Sequence, residues 1–442
     1  MNTAPQQNDD ATTVPGGWWA SWLLAIVVVL LCLIAGELFL RRWFPLDGVL
    51  LQRDTRYLYK YIPGARARTA HIQPAGHPRG DTVLVAINSQ GRRGETVSKD
   101  ASTLRVMVCG DSFVAGEFSL MENSFVYRLE KELSARLGRR VQVINGGVPG
   151  YGPDQESLVL EDQIDSLKPD LVIAAIYSIN DFGDLVRNKL FALDRNGQLI
   201  RRQPAPALDV ALNKYFDQAK SLPRFQVVRR FKRLVATVRS SETVWKLKVL
   251  LHLRSATSKY VPPPAPPLPT STERIQKWLA LRVEEYRSTI DGQDNLVHNL
   301  LSDTYDADVS LALDSPSSLY KRALMARMME WMESIASKRS IPMAFLIVPG
   351  AIDTSEWDVA VDPAVFPGYR RSELTDILER IAKERHVPYL NLFQPFREHW
   401  REELYYHIPD DHWNTAGQKL AAALTADFIV RDQLLHPAPA KR

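Results

Sequence analysis

Two short segments, about 300 positions apart, carry residue types that can do acyl chemistry together. Gly110-Asp111-Ser112 comes straight after the apolar run Val106-Met107-Val108-Cys109, so Ser112 sits where a strand breaks at a glycine and a helix soon begins. Asp410-Asp411-His412-Trp413-Asn414 stands just before a helical pattern. A serine hydroxyl is a weak nucleophile at neutral pH: it needs a base, the base needs an orienting partner, and the tetrahedral oxyanion needs preorganised donors. Among nine histidines His412 is the best-placed base, because acids precede it. Asp410, two residues upstream, reaches the second imidazole nitrogen if the loop turns, and Asp411 is the fallback. Alone, Gly-Asp-Ser is also the sequence of an ordinary capped turn, and Asp-Asp-His that of a metal fragment or an acidic helix start. No partner His/Asp pair stands at metal-ligand spacing, so neither a metal nor another cofactor is expected.

The elements that must position these groups alternate between strand and helix. Strands are expected at Leu104–Cys109, Val141–Ile144, Leu171–Tyr177, Met343–Val348 and Tyr389–Phe393, each a short apolar run. Helices are expected at 124–137, where Phe125, Leu129, Leu133 and Leu137 recur every four residues, at 155–167, 320–338 and 374–384, and at 415–430 behind the capping residue Asn414. Strands separated by helices imply an α/β fold of three layers, a parallel sheet with helices on both faces. Functional loops of such a sheet gather at the carboxyl ends of its strands. Ser112, Gly150 and Asn180 all follow strands, so all three can meet at that edge.

With the elements in place, the motifs acquire a joint meaning. Gly110-Asp111-Ser112-Phe113 resembles block I of the SGNH (GDSL-type) hydrolase superfamily. Asn145-Gly146-Gly147-Val148-Pro149-Gly150 resembles block II, Ser178-Ile179-Asn180-Asp181 block III, and Asp410 with His412 block V. The resemblance covers roughly residues 101–190 and 340–430. It implies an SGNH/flavodoxin-like sheet, Ser112 as nucleophile, His412 as base and Asp410 as its acid. It also implies that the Ser112 and Gly150 N–H groups and the Asn180 amide hold the oxyanion. Asp111 and Asp181 are expected to tie the turns rather than react. Two positions depart from the family pattern: Pro409 stands where the acid is usual, and Ser178 where block III has glycine. Asp410-Asp411-His412-Trp413 is similar to the D-x-H-W form of the alginate O-acetyltransferase branch, which favours Asp410. The implied activity is cleavage of acyl esters, with acetyl the leading guess, on a carbohydrate or lipid through an acyl-enzyme. The alternatives are an O-acetyltransferase acting on a cell-envelope glycan and an inactive scaffold of the same fold.

The flanking sequence adds a membrane. Residues 18–40 are almost free of charge and long enough, at roughly 23 residues, to cross a hydrocarbon core of about 30 Å. The first 17 residues hold no Lys or Arg, unlike a cleaved signal peptide, so a retained single-pass anchor is expected behind a disordered tail at 1–17. Arg41, Arg42, Arg53, Arg56 and Lys60 lie on the C-terminal side, and the positive-inside rule then puts the large domain in the cytoplasm. The family resemblance implies the opposite, a bacterial inner-membrane protein with its catalytic domain in the periplasm, and this reading leans that way. Residues 41–100 form a membrane-proximal segment, and 101–442 the hydrolase-like domain. That domain is interrupted at about 195–315 by a helical insertion with a basic amphipathic stretch from Lys214 to Lys259 and the stiff run Pro262–Pro269. The stretch reads first as a solvated helix face and second as a contact for anionic lipid headgroups. The net charge of +4 and the lack of any reading motif argue against a nucleic-acid partner. Two cysteines, Cys32 and Cys109, build no disulfide framework.

Overall fold

The structure is a computed structural model. It describes residues 17–43, 50–69, 83–116, 118–203, 210, 212–213, 271–291, 305–356, 361–406 and 412–435. The basic stretch from Lys214 to Lys259, the proline run, the tail at 1–16, Asp410 and Asp411 lie outside the described residues. The chain divides into two compact units: residues 1–46 with 221–264, and 47–220 with 265–442.

In the first unit, helix α1 spans Gly17–Trp43. Its segment Ser21–Leu40 has a mean hydropathy of 3.0, long and apolar enough to cross a membrane, a property that signal sequences share.

The second unit is built on one parallel sheet. Four short strands come first: β1 (Leu51–Asp54), β2 (Leu58–Tyr61), β3 (Arg66–Thr69) and β4 (Val83–Ala86). They form two antiparallel hairpins, β1 with β2 and β3 with β4, outside the main sheet. The sheet itself uses β5 (Leu104–Cys109), β6 (Val141–Asn145), β7 (Leu171–Tyr177), β10 (Met343–Val348) and β11 (Tyr389–Asn391), in the order β11-β10-β7-β5-β6. Strands β8 (Phe191–Leu193) and β9 (Leu199–Arg201) make a small separate hairpin. Every pairing in the main sheet is parallel. The residues of β6, β7 and β10 are all buried, the near-continuous apolar pattern of strands covered on both faces. Counted in chain order, the first strand of the sheet, β5, lies between the second, β6, and the third, β7, which makes β5/β7 the switch point where crossovers leave in opposite directions.

Local chemistry sets the boundaries that the apolar pattern leaves loose. The helix expected from Tyr320 begins at Pro316, because Ser315 accepts from the Ser318 N–H and proline suits the first turn. The last strand ends at Asn391 rather than Phe393, because the Asn391 side chain accepts the Phe393 N–H and starts a helix there. Asn414 caps its helix as its sequence implies, accepting from Ala416 and Gly417.

A buried set of charges lies against the helix Asp181–Asn188 (α5). Arg187 contacts Asp184 and lies 3.6 Å from Glu285 on the helix Ser271–Ile290. Arg282 pairs with Glu285 at 2.6 Å and reaches Asp306 at 4.0 Å; Lys321 pairs with Asp306 and Asp308 at 3.3 and 2.9 Å. None of these side chains is more than 4% exposed. Charges removed this far from water persist only when paired.

Asp154, at the start of the helix Pro153–Leu167 (α4), belongs to the same interior. It accepts from the Asn188 amide and the Gln155 N–H, both at 2.9 Å, yet burial pushes its carboxyl up to about 7. The folded chain therefore holds a proton that the unfolded chain has released above about pH 4. Its stabilising effect is complete below that pH and is lost as pH rises towards 7. Asp154→Asn should flatten this part of the curve, so the fall in melting temperature between pH 5 and 8 should be smaller than in the parent. An identical slope in both proteins would mean that Asp154 is not the titrating group.

Candidate active site

Ser112 opens a four-residue helical turn, Ser112–Ala115, immediately beyond β5. The Asp111 side chain accepts the Phe113 N–H at 2.9 Å, and Gly116 closes the turn at φ +64°, where its N–H reaches the Ser112 carbonyl. Arg93, almost wholly buried, braces the exit by donating to the carbonyls of Ala115, Gly116 and Ser119. The serine is thus fixed at a strand-to-helix corner, 5% exposed.

His412 arrives from the other end of the chain. Its Nε2 lies 2.6 Å from Ser112 Oγ, so with Nε2 unprotonated the serine hydroxyl donates to it. The imidazole is held between two aromatic rings, stacked on Phe113 at 4.8 Å and edge-on to Phe118 at 4.9 Å. The adjacent Trp413 is buried against Phe113, Phe125 and Phe396, which anchors the loop in the core. Gln418 links the closing helix to the serine side, accepting the Phe125 N–H at 2.5 Å and donating to Ser119 at 2.9 Å.

Gly150 and Asn180 stand beyond the ends of β6 and β7, the two strands that flank β5. Gly150 has φ +70°, a conformation that costs a side-chain-bearing residue strain. Within its loop, Gly147 packs so tightly on the serine turn that a Cβ would lie 2.4 Å from the Ala115 nitrogen. Asn180 is 1% exposed at the start of α5, with its carbonyl accepting from Arg187. Asp181 accepts the Tyr177 N–H at 2.7 Å, so Asp111 and Asp181 each tie a turn. Burial pushes the Asp181 and Glu156 carboxyls well above the usual range, and repulsion by Asp111 adds to both.

The structure thus brings Ser112 and His412 into contact and sets Gly150 and Asn180 at the same sheet edge. Among the described residues, no group of three or more His, Cys, Asp or Glu side chains is arranged to hold a metal ion. A strongly directed serine–imidazole hydrogen bond at the carboxyl edge of a parallel sheet can move a proton from serine to histidine during attack on a carbonyl.

One contributor escapes the motifs. Tyr59, in β2, is fully buried and its hydroxyl lies 3.0 Å from the Pro149 carbonyl and 2.7 Å from that of Gly150. The Pro149 carbonyl and the Gly150 N–H belong to one peptide group, so this contact orients and polarises that N–H. Tyr151 returns the contact, donating to the Tyr59 carbonyl at 2.5 Å, with the two rings edge to face. No motif marks a tyrosine some 90 positions upstream, and the only sequence cue is an aromatic pair in a short strand.

No protein-family model matches the chain, and no curated relative matches it. Solved structures do. It is similar to a lipase/acylhydrolase from Enterococcus faecalis, with 12% identity, 76% of this chain and 100% of the other covered, and a TM-score of 0.30. It is similar to a Clostridium thermocellum family 3 carbohydrate esterase, with 10% identity, coverage of 75% and 97%, and a TM-score of 0.31. A third is a mutant of an acetyl-xylooligosaccharide esterase from Geobacillus Stearmophilus, with 13% identity, coverage of 74% and 94%, and a TM-score of 0.33. Identities and TM-scores this low leave the functional reading to the residues themselves.

Tyr59→Phe removes the hydroxyl that bonds the Pro149 and Gly150 carbonyls and keeps the ring. It should cost about 1 kcal/mol of stability and speed amide exchange in peptides covering 145–151. Unchanged exchange there would mean that the loop holds its shape without the tyrosine.

Proposed function

We propose that this chain is a serine esterase of the SGNH type that cleaves acyl esters, with acetyl esters of a carbohydrate or lipid as the leading substrates. The observation that carries the reading is the 2.6 Å contact between Ser112 Oγ and His412 Nε2 at the carboxyl edge of the sheet. Ser112 attacks the ester carbonyl while His412 takes its proton. The Ser112 and Gly150 N–H groups and the Asn180 amide stabilise the oxyanion. The leaving alcohol departs with the proton from His412, and water then attacks the acyl-enzyme. Asp410 orients the imidazole in this scheme, with Asp411 as its substitute. If a sugar hydroxyl replaces water in the last step, the same groups perform O-acetyl transfer. We place the chain in a bacterial inner membrane through α1, with the catalytic unit on the periplasmic side; the length and hydropathy of Ser21–Leu40 support the anchor.

A small activated acetyl ester and a serine-directed phosphonate test the mechanism together. The parent should turn over the ester and take the label; Ser112→Ala should do neither, and a labelled Ser112→Ala would remove Ser112 from the mechanism. Labelling without turnover would point to a transferase lacking its acceptor, and absence of both in the folded parent to the inactive scaffold. Asp410→Asn should reduce turnover more than Asp411→Asn, and the opposite order would make Asp411 the acid.

Orientation is tested by a reporter fused after Arg442. A periplasm-dependent reporter should be active, and activity only of a cytoplasm-dependent reporter would reverse the placement.

A further inference from the structure

A cavity of about 220 Å³ lies beside the loop that carries Gly150. Gly146, Gly147 and Val148 form one wall, and Tyr57, Tyr61 and Tyr151 supply aromatic surface. The polar lining is Lys60, Gln90, Arg92, Asn145 and Gln163, with no carboxylate among the lining residues. Arg92 is only 7% exposed. Among the described residues its guanidinium makes a single hydrogen bond, Nη1 to the Asn145 carbonyl at 3.3 Å, and its Nε has no partner. Among the described residues no carboxylate lies within ion-pairing distance of it. The Asn145 amide nitrogen is also buried without a partner among the described residues, while its oxygen accepts the Gly147 N–H at 2.9 Å.

This arrangement is unusual for a protein interior. Three other buried cations, Arg187, Arg282 and Lys321, are paired with acids, and the guanidinium of buried Arg93 is held by three backbone carbonyls. A buried arginine without one is costly, and burial indeed lowers the proton affinity of the Arg92 guanidinium with no carboxylate to oppose it. Arg92 lines the cavity with a guanidinium that no acid neutralises among the described residues, and Lys60, bound to Asp54 at 2.8 Å, also lines it. A planar guanidinium with free N–H groups suits an oxyanion. Arg92 and Asn145 also border a second cavity, but that one is lined by Glu95 and Glu130, which would repel an anion. Three tyrosine rings beside the donors suit a sugar ring more than a bare ion.

We propose that the cavity lined by Arg92, Asn145 and Tyr61 binds an anionic sugar, through a carboxylate or phosphate group carried on the ring. The site shares the 145–151 loop with Gly150 but does not include Ser112, so it stands whether or not Ser112 is the nucleophile.

The test uses the full chain in detergent, with glucuronate, glucose 6-phosphate, inorganic phosphate and glucose as probes, at matched ionic strength. Binding is read by calorimetry and by the rise in melting temperature. Glucuronate or glucose 6-phosphate should bind and glucose should not; which of the two binds more tightly identifies the anion as carboxylate or phosphate. Arg92→Met should weaken binding at least about tenfold, the loss of one charge-assisted contact. Because Arg92→Met removes a buried side chain, Asn145→Asp is the companion variant. It keeps an acceptor for Gly147 and puts a negative charge on the lining that Arg92 shares, so it should abolish anion binding. Binding of inorganic phosphate as tight as that of either sugar would overturn the sugar assignment. Absence of binding by all three anions, or undiminished binding in folded Asn145→Asp, would overturn the site.

Discussion

The hydrogen bond between Ser112 and His412 joins two segments 300 positions apart, and its 2.6 Å length leaves little tolerance on either side. On the serine side the position is set by the corner beyond β5, closed by Asp111 and Gly116 and braced by Arg93. On the histidine side it is set by Trp413, whose indole fills the core beside the ring that stacks on His412. Phe113 belongs to both arrangements: it follows the serine in sequence, stacks on the imidazole and meets the indole. Gln418 closes the loop of contacts between the two sides. The parallel sheet supplies the frame, since it ends three neighbouring strands at one edge and lets each deliver a turn there.

Two kinds of interior support that edge. The sheet is packed apolar on both faces, which gives stability without direction. Behind α5 the packing is ionic, and there each charge has directional partners. Such a network adds little net stability over an apolar equivalent, but it penalises any arrangement that leaves a charge alone. Its place behind the helix led by Asn180 ties the position of that residue to the helix Ser271–Ile290.

The sheet strands and their flanking helices were legible in the sequence because each apolar run has the period of its element and a glycine, proline or capping residue at its end. Leu171–Tyr177 and Met343–Val348 agree to the residue. The differences arise where a side chain, not the apolar period, decides: Asn391 ends a strand early and Ser315 starts a helix early. The pairing of β3 with β4 left no comparable mark, since no short motif fixes the register of two four-residue strands. The contact of Ser112 with His412 was readable because a glycine corner after a strand and acids before a capped helix mark the two positions. Tyr59, Arg92 and Arg93 were not. Each acts on backbone carbonyls or on a cavity, and a carbonyl leaves no trace in the identity of the residue that carries it.

The shared charges behind α5 also bear on how the chain can change. Arg282 and Glu285 come from the stretch that interrupts the α/β pattern, whereas Asp184, Arg187 and Lys321 come from the elements around it. Deleting the interruption would take Glu285 from Arg187 and both acids, Asp306 and Asp308, from Lys321. Any mutational route that shortens this region must first neutralise both sides together, and single steps lead through a less stable chain. The insertion is therefore entrenched: it is held in the gene by its partners' charges, independently of whatever its remaining surface does.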